Sequence, residues 1–109
     1  MKDDKLYLIH MSECIERIQS YTKDGYEAFM RSRLSQDAVV RNFEVMGEAA
    51  KQVSETLKNR YTAIPWKRVA GLRDILIHNY IAVDYDEVWK IVEQDLPVLR
   101  ETVKQILES

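Results

Sequence analysis

A short stretch of the chain brings together the residue types that acid–base and phosphate chemistry need. His78 comes five residues after Arg73, and Tyr80 lies two residues beyond the histidine. On a helix five residues turn through about 140°, an angle across which a long guanidinium can swing toward the imidazole. Asp74 is four residues before His78, so its carboxylate can hydrogen-bond the ring and set the tautomer. Arg73 and Tyr80 are seven residues apart and therefore lie nearly on one stripe of a helix.

These side chains suit the cleavage of an RNA phosphodiester bond. An imidazole can take the proton of the 2′-hydroxyl or deliver one to the leaving 5′-oxygen. A guanidinium fork can hold the scissile phosphate and stabilise its extra charge. The scheme requires no metal, and the sequence has no cluster of carboxylates and histidines at metal spacing. On spacing alone, a helix with ordinary polar residues is the simpler interpretation.

The elements that position this stretch are predicted to be helices, because apolar residues step by three and four positions. In a first helix, which ends between Thr22 and Gly25, they are Leu8, Met11, Ile15 and Ile18. A short helix around Phe29 is the ambiguous element that follows. In a second long helix, with Ser35 as its predicted N-cap, they are Val39, Phe43, Met46, Ala50, Val53 and Leu57.

Two more helices are predicted in the second half. Pro65 fits the first turn of the third, whose apolar stripe is Val69, Leu72, Leu76 and Tyr80. Asp84 is the candidate cap of the fourth, and Pro97 should kink or split that helix near Glu93. No useful stretch alternates with period two. The prediction is therefore an all-α, up-and-down bundle of four to five helices.

Composition bounds the remaining possibilities. The 109 residues, of which 46% are apolar, predict a single domain over 1–109. One cysteine, Cys14, excludes an internal disulfide and a cysteine-built metal site, and its apolar neighbourhood predicts an inert buried thiol. No signal peptide and no apolar run of membrane length is present. These features predict a cytoplasmic protein with no membrane partner.

The net charge of −2 hides a gradient along the chain. Residues 51–73 hold six basic side chains against Glu55 alone, whereas both ends of the chain are acidic. This segment is either a solvated helix end or a patch that attracts phosphate, and charge alone does not decide between them. Trp66 and Trp89 are interpreted as core or interface aromatics rather than base-stacking platforms.

Several blocks, in the same order, are similar to the HepT-like ribonuclease toxins of the HEPN superfamily. They are RNFEVMGEA at 41–49, IPW at 64–66, GLR at 71–73, HNY at 78–80, VW at 88–89 and DLPVL at 95–99. Together they are far more specific than the Arg-x4-His spacing by itself. The resemblance spans roughly residues 4–107 and makes the chain HEPN-like over nearly its whole length.

The resemblance implies a bundle that dimerises, with two Arg-x4-His motifs in a shared cleft. Arg73 and His78 would be the catalytic pair of a metal-independent endoribonuclease, the toxin of a type VII toxin–antitoxin system. Tyr80 would be the residue to which a cognate nucleotidyltransferase antitoxin of the MNT type adds AMP. An anionic adduct near Arg73 would occupy the substrate phosphate position and so inhibit the toxin. The implied partners are RNA, this antitoxin and a second or further copy of the chain, with no cofactor.

Four more residues are predicted to support the site. Asp74 follows the motif arginine, where the family favours a polar residue. Arg41, Asn42 and Glu48 lie on the second helix beside its apolar seam. Arg41 is predicted to form a structural ion network with Glu44 or Glu48. The alternative is that Arg41 lines the cleft and contacts RNA.

Three functions remain open on the sequence. The first is a toxin ribonuclease that a partner neutralises. The second is a catalytically weak HEPN module that binds a nucleotidyltransferase, RNA or both, and the third is a plain structural dimer. The complete set of Arg73, His78 and Tyr80 favours the first function over the third, since a structural helix needs none of these residues together.

Overall fold

The computed structural model describes residues 3–79 and 82–109, and the side chains of 77–79 lie outside that description. The helices are α1 (Asp4–Tyr21), α2 (Tyr26–Arg31), α3 (Arg33–Gln52), α4 (Glu55–Arg60), α5 (Trp66–Ala70), α6 (Leu72–Leu76), α7 (Tyr85–Lys90) and α8 (Leu96–Glu108). A π-helical segment (Ile91–Asp95) joins the last two helices. Two short strands, β1 (Ile77–Asn79) and β2 (Ala82–Val83), pair antiparallel, with Ile77 opposite Val83.

The core lies between α1, α3 and α8, and α1 packs against both of the others. The predicted apolar faces of α1 and α3 are buried as expected, and Met11, Ile18, Phe43 and Met46 are fully enclosed. Burial of such side chains stabilises the fold by about 1.5–3 kcal/mol each. The predicted helical bundle is confirmed, and the β1–β2 pairing is the addition to it. None of the helices in the described part of the chain is long and apolar enough to span a membrane.

The predicted second helix is two helices, because Ser54 starts a new one. Val53 and Ser54 have extended backbones, and the Ser54 hydroxyl accepts the N–H of Leu57 at 3.2 Å. The Asp4 carboxylate accepts both the Ser54 N–H at 2.8 Å and its hydroxyl at 2.7 Å. Burial by itself raises the pKa of Asp4, these hydrogen bonds lower it, and the resulting pKa is below the ordinary value of an aspartate. Leu57 therefore belongs to α4, where Ser54 is the N-cap.

The prediction that Ser35 caps the second helix is wrong by one turn. Ser32 has the extended backbone of an N-cap, and its hydroxyl oxygen accepts the Ser35 N–H at 3.1 Å. Further along the chain, the Asp84 cap is confirmed, since its carboxylate accepts the Glu87 N–H at 3.0 Å. The break that Pro97 predicts is also confirmed, because α8 begins at Leu96 after the π-helical segment.

The predicted third helix does not continue to Tyr80. It is divided at Gly71, and its second part ends at Leu76. In a helix the Leu76 carbonyl would accept the N–H of residue 80; here it accepts the Asp84 N–H at 3.0 Å. The return of the chain through β2 therefore replaces the last helical turn, and Tyr80 lies outside the described residues.

A close backbone approach at Gly47 fixes α5 on α3. A Cβ atom at this position would lie 2.9 Å from the Val69 carbonyl oxygen and 3.4 Å from that of Ala70. Both carbonyls are backbone atoms that cannot rotate away. Glycine is therefore required here so that α5, and with it the start of α6, can lie against α3.

Gly47→Ala should destabilise the fold by about 1–3 kcal/mol in urea denaturation, because the added methyl group forces α5 away from α3. Without that clash, alanine in the interior of a helix would stabilise by about 0.5–1 kcal/mol relative to glycine. Gln52→Ala, at an exposed position of the same helix, is the matched control and should shift stability by no more than about 0.5 kcal/mol. A neutral or stabilising Gly47→Ala would contradict the close approach.

Candidate functional site

Arg73 projects from the first half of α6 and is tethered to α3. Its Nε donates to Oε2 of Glu44 at 3.2 Å, and the two side chains are 66% and 30% exposed. This contact uses the inner nitrogen of the guanidinium. In the described part of the chain, no ion pair involves its terminal nitrogens, which can therefore meet another anion.

Arg73 lies at the edge of a groove of about 460 Å³ between α3 and the α5–α6 junction, which we call the Arg73 groove. Three other predicted site residues, Arg41, Glu48 and Asp74, line the same groove. Arg41 and Glu48 lie on α3, whereas Asp74 lies on α6, about 30 residues later in the chain. The packing of α5 against α3 at Gly47 brings these helices together. Asn42 is not a lining residue of this groove, and its amide donates to the Ala38 carbonyl at 2.8 Å on its own helix.

The ion network predicted around Arg41 is not formed. Glu44 pairs with Arg73, and Glu48 pairs with Lys51 at 3.1 Å, one turn further along α3. Among the described residues no acidic side chain pairs with Arg41, which is exposed and faces the groove. The favoured structural interpretation of Arg41 is therefore wrong in its partners, and the alternative, that Arg41 lines the cleft and contacts RNA, stays a prediction.

The other two motif residues, His78 and Tyr80, come five and seven residues after Arg73 in the sequence. The backbone of His78 lies in β1, two residues beyond the end of α6, and its side chain is outside the description. The predicted four-residue helical relation between Asp74 and His78 is wrong, because α6 ends at Leu76. The predicted common stripe of Arg73 and Tyr80 involves Tyr80, which lies outside the described residues. Strand pairing, which the apolar spacing does not encode, sets the direction of the chain after Arg73.

The segment rich in basic residues forms a second groove, of about 650 Å³, beside the first. We call it the lysine groove; its charged lining residues are Lys51, Glu55, Lys58, Lys67 and Arg68. The charge pattern over 51–73 indicated these residues, but it did not show that they surround one concavity. That arrangement depends on the break at Val53 and Ser54, after which α4 begins and lines the groove together with α5.

Three predicted core positions are confirmed. Cys14 is buried, and burial raises the pKa of its thiol, as expected for an inert cysteine. Trp89 packs against the core, with its ring centroid 5.5 Å from that of Phe29 and 5.8 Å from that of Tyr26. Trp66 also packs on the core, and its Nε1 donates to the Tyr61 carbonyl at 3.0 Å.

Comparisons with known proteins place this arrangement in a family. A family model described as ribonuclease HepT-like matches residues 11–106. A Methanocaldococcus jannaschii protein, described as a gamma-glutamylcyclotransferase and provisionally assigned RNase, is 45% identical over 99% of the chain. The chain spans 49% of that protein's length. A Thermococcus cleftensis protein described as a probable ribonuclease HepT is 38% identical, with 91% of each chain covered.

One solved structure is similar along its full length. It is the tri-AMPylated HEPN toxin of Shewanella oneidensis in complex with MNT antitoxin, with a TM-score of 0.69, 24% identity and 100% of both chains covered. At that identity the likeness shows the fold. The match of the family model to most of the chain and the identity to a relative covered over 91% of its length lead to one conclusion: this chain belongs to the HepT-like ribonuclease family.

Proposed function

We propose that the chain is a metal-independent endoribonuclease, the toxin of a type VII toxin–antitoxin pair, with Arg73 and His78 as its catalytic residues. The observation that supports this most is the exposed guanidinium of Arg73, oriented by Glu44 at the edge of a groove lined by Arg41 and Lys51. Membership of a ribonuclease family supports the same reaction. Arg73 would hold the scissile phosphate and stabilise the charge that develops on it.

The proposed reaction is an internal attack of the RNA on its own backbone. An imidazole takes the proton of the 2′-hydroxyl, the 2′-oxygen bonds to phosphorus, and the bond from phosphorus to the 5′-oxygen breaks. The leaving 5′-oxygen receives a proton from an imidazolium. One chain supplies one His78, so a homodimer with two motifs in one cleft supplies both the base and the acid. The hydroxyl is the nucleophile, and no metal is needed to generate one.

A nucleotidyltransferase of the MNT type is the proposed antitoxin, and Tyr80 is the proposed site of AMP addition. The support is the fold shared with the Shewanella oneidensis toxin, which was solved tri-AMPylated and in complex with MNT antitoxin. Tyr80 follows His78 by two residues, so an added AMP brings its phosphate close to the catalytic pair. Competition with the substrate phosphate for Arg73 gives the inhibition a physical cause.

Induced expression tests both parts of the proposal. The chain alone should stop growth and degrade cellular RNA, whereas co-expression with its nucleotidyltransferase should restore growth and add one or more AMP masses to the intact protein. Tyr80→Phe should remain unmodified and toxic under co-expression. Tyr21→Phe, at an exposed tyrosine on α1, is the matched control and should still gain the mass.

Two results would contradict the proposal separately. Intact RNA and normal growth on expression of the chain alone would exclude the ribonuclease and favour the module that only binds a partner. AMP addition to Tyr80→Phe would exclude Tyr80 as the modified residue while leaving the nuclease in place. Peptide mapping of the modified protein then identifies the residue that bears the AMP.

A further inference from the structure

The lysine groove continues directly from the Arg73 groove. Lys51 and Ala70 line both, so the two concavities meet at the end of α3 and the end of α5. The Arg73 groove is large enough for a phosphate and its neighbouring groups. An RNA strand bound in the Arg73 groove must extend beyond it, and the lysine groove provides a concave path along α4 and α5.

The charge of the lysine groove is strongly one-sided for a protein with a net charge of −2. Four basic side chains line it against the single acid Glu55. Lys58 pairs with Glu55 at 3.8 Å, Lys51 with Glu48 at 3.1 Å, and Arg68 with Asp95 at 3.3 Å. Glu48 and Asp95 are not lining residues of the lysine groove, so the charges that face it are mainly basic. Lys67 is exposed and has no ion-pair partner among the described residues. Concave, one-sided charge concentrates the field and attracts a polyanion.

Trp66 gives the same groove an apolar surface. The ring packs on the core, and the bond from its Nε1 to the Tyr61 carbonyl fixes its orientation. Its half-buried side chain still lines the groove beside the basic residues. Basic side chains along a groove are the features with which proteins follow the backbone of single-stranded nucleic acid, since the charges meet successive phosphates.

We propose that the lysine groove binds the sugar–phosphate backbone of the single RNA strand that flanks the scissile phosphate. The inference rests on the proposed function, because it takes the scissile phosphate to lie at Arg73. An acidic protein segment would also be attracted by Lys51 and Lys67. Continuity with the Arg73 groove favours RNA. The groove thereby makes RNA longer than the cleavage site a better substrate than a short fragment.

Fluorescence anisotropy with a labelled single-stranded RNA of about 16 nucleotides tests this binding path. The parent protein is the His78→Ala variant, which leaves the RNA intact during the measurement. Adding Lys51→Gln and Lys67→Gln should weaken binding about tenfold and reduce the slope of log affinity against log salt by about 0.7 for each phosphate that the groove no longer neutralises. Lys104→Gln, at an exposed lysine of α8, removes the same charge outside both grooves and should change neither value.

The ratio of affinities for long and short RNA distinguishes the flanking path from a general charge effect. In the parent protein this ratio should be well above one, and it should fall in the double variant. An unchanged affinity and salt slope would overturn the proposal. Intact RNA binding with impaired binding of the nucleotidyltransferase would also overturn it and assign the groove to a protein partner. Absence of cleavage by the wild-type chain would contradict the proposed function alone, because these measurements do not depend on cleavage.

Discussion

The His78→Ala variant should cleave RNA about 10²- to 10⁴-fold more slowly than the wild-type chain, the range that loss of a general acid–base group produces. Two proton transfers depend on the imidazole in the proposed reaction, which makes the upper part of the range the expectation. The rate constant at saturating RNA is the value to compare, because the guanidinium of Arg73 still binds the phosphate. Wild-type cleavage should persist in the presence of EDTA, since the proposed chemistry requires no metal.

The chain contains its own control for this substitution. His10 is exposed on α1 and is not a lining residue of either groove. His10→Ala removes the same side chain and should retain the full rate. If His78→Ala cleaved as fast as His10→Ala, the acid–base assignment would be wrong, and the surviving activity would have to come from another group. Far-UV circular dichroism of both variants shows whether each keeps the helical fold.

The apolar spacing predicted the long helices well, because burial along one face is a local property of the sequence. Leu8, Met11, Phe43 and Met46 are buried for that reason. The ends of helices were harder to predict, because contacts from distant parts of the chain decide them. The break before α4 depends on Asp4 bonding to Ser54, 50 residues away. The end of α6 depends on the Asp84 N–H, which donates a hydrogen bond to the Leu76 carbonyl.

The candidate site likewise has features that the sequence predicts and features that depend on contacts between distant residues. Sequence spacing and family resemblance selected Arg73, Asp74, Arg41 and Glu48, and the structure places all four around one groove. Neither source identified Glu44 as the partner of Arg73, because that contact joins α3 and α6 across the fold. The i,i+4 relation assumed for His78 failed because a strand replaces the last turn of the helix. Pairings between elements therefore have to be read from the structure, whereas residue types with functional chemistry can be found in the sequence.

Arg73→Ala should lower kcat/KM for RNA about 10²- to 10³-fold, the usual loss when a group that stabilises transition-state charge is removed. Arg73→Lys should recover little of this. A lysine ammonium is a compact charge that cannot hold Glu44 with one nitrogen and present a planar fork to the phosphate with two others. Both variants should remain folded, because an exposed ion pair such as Arg73–Glu44 contributes about 0–1 kcal/mol to stability.

Two further variants separate the catalytic role of Arg73 from a structural one. Arg100→Ala, at an exposed arginine of α8, removes an equal charge away from the groove and should cleave like the wild-type chain. Glu44→Gln keeps a hydrogen-bond acceptor for Nε, so Arg73 should stay oriented, and most of the activity should remain. If Arg73 acted only through its contact with Glu44, then Glu44→Ala would reduce cleavage as much as Arg73→Ala. Equal losses in those two alanine variants would therefore refute phosphate binding by Arg73, whereas a far larger loss in Arg73→Ala identifies the guanidinium as the group that contacts the substrate.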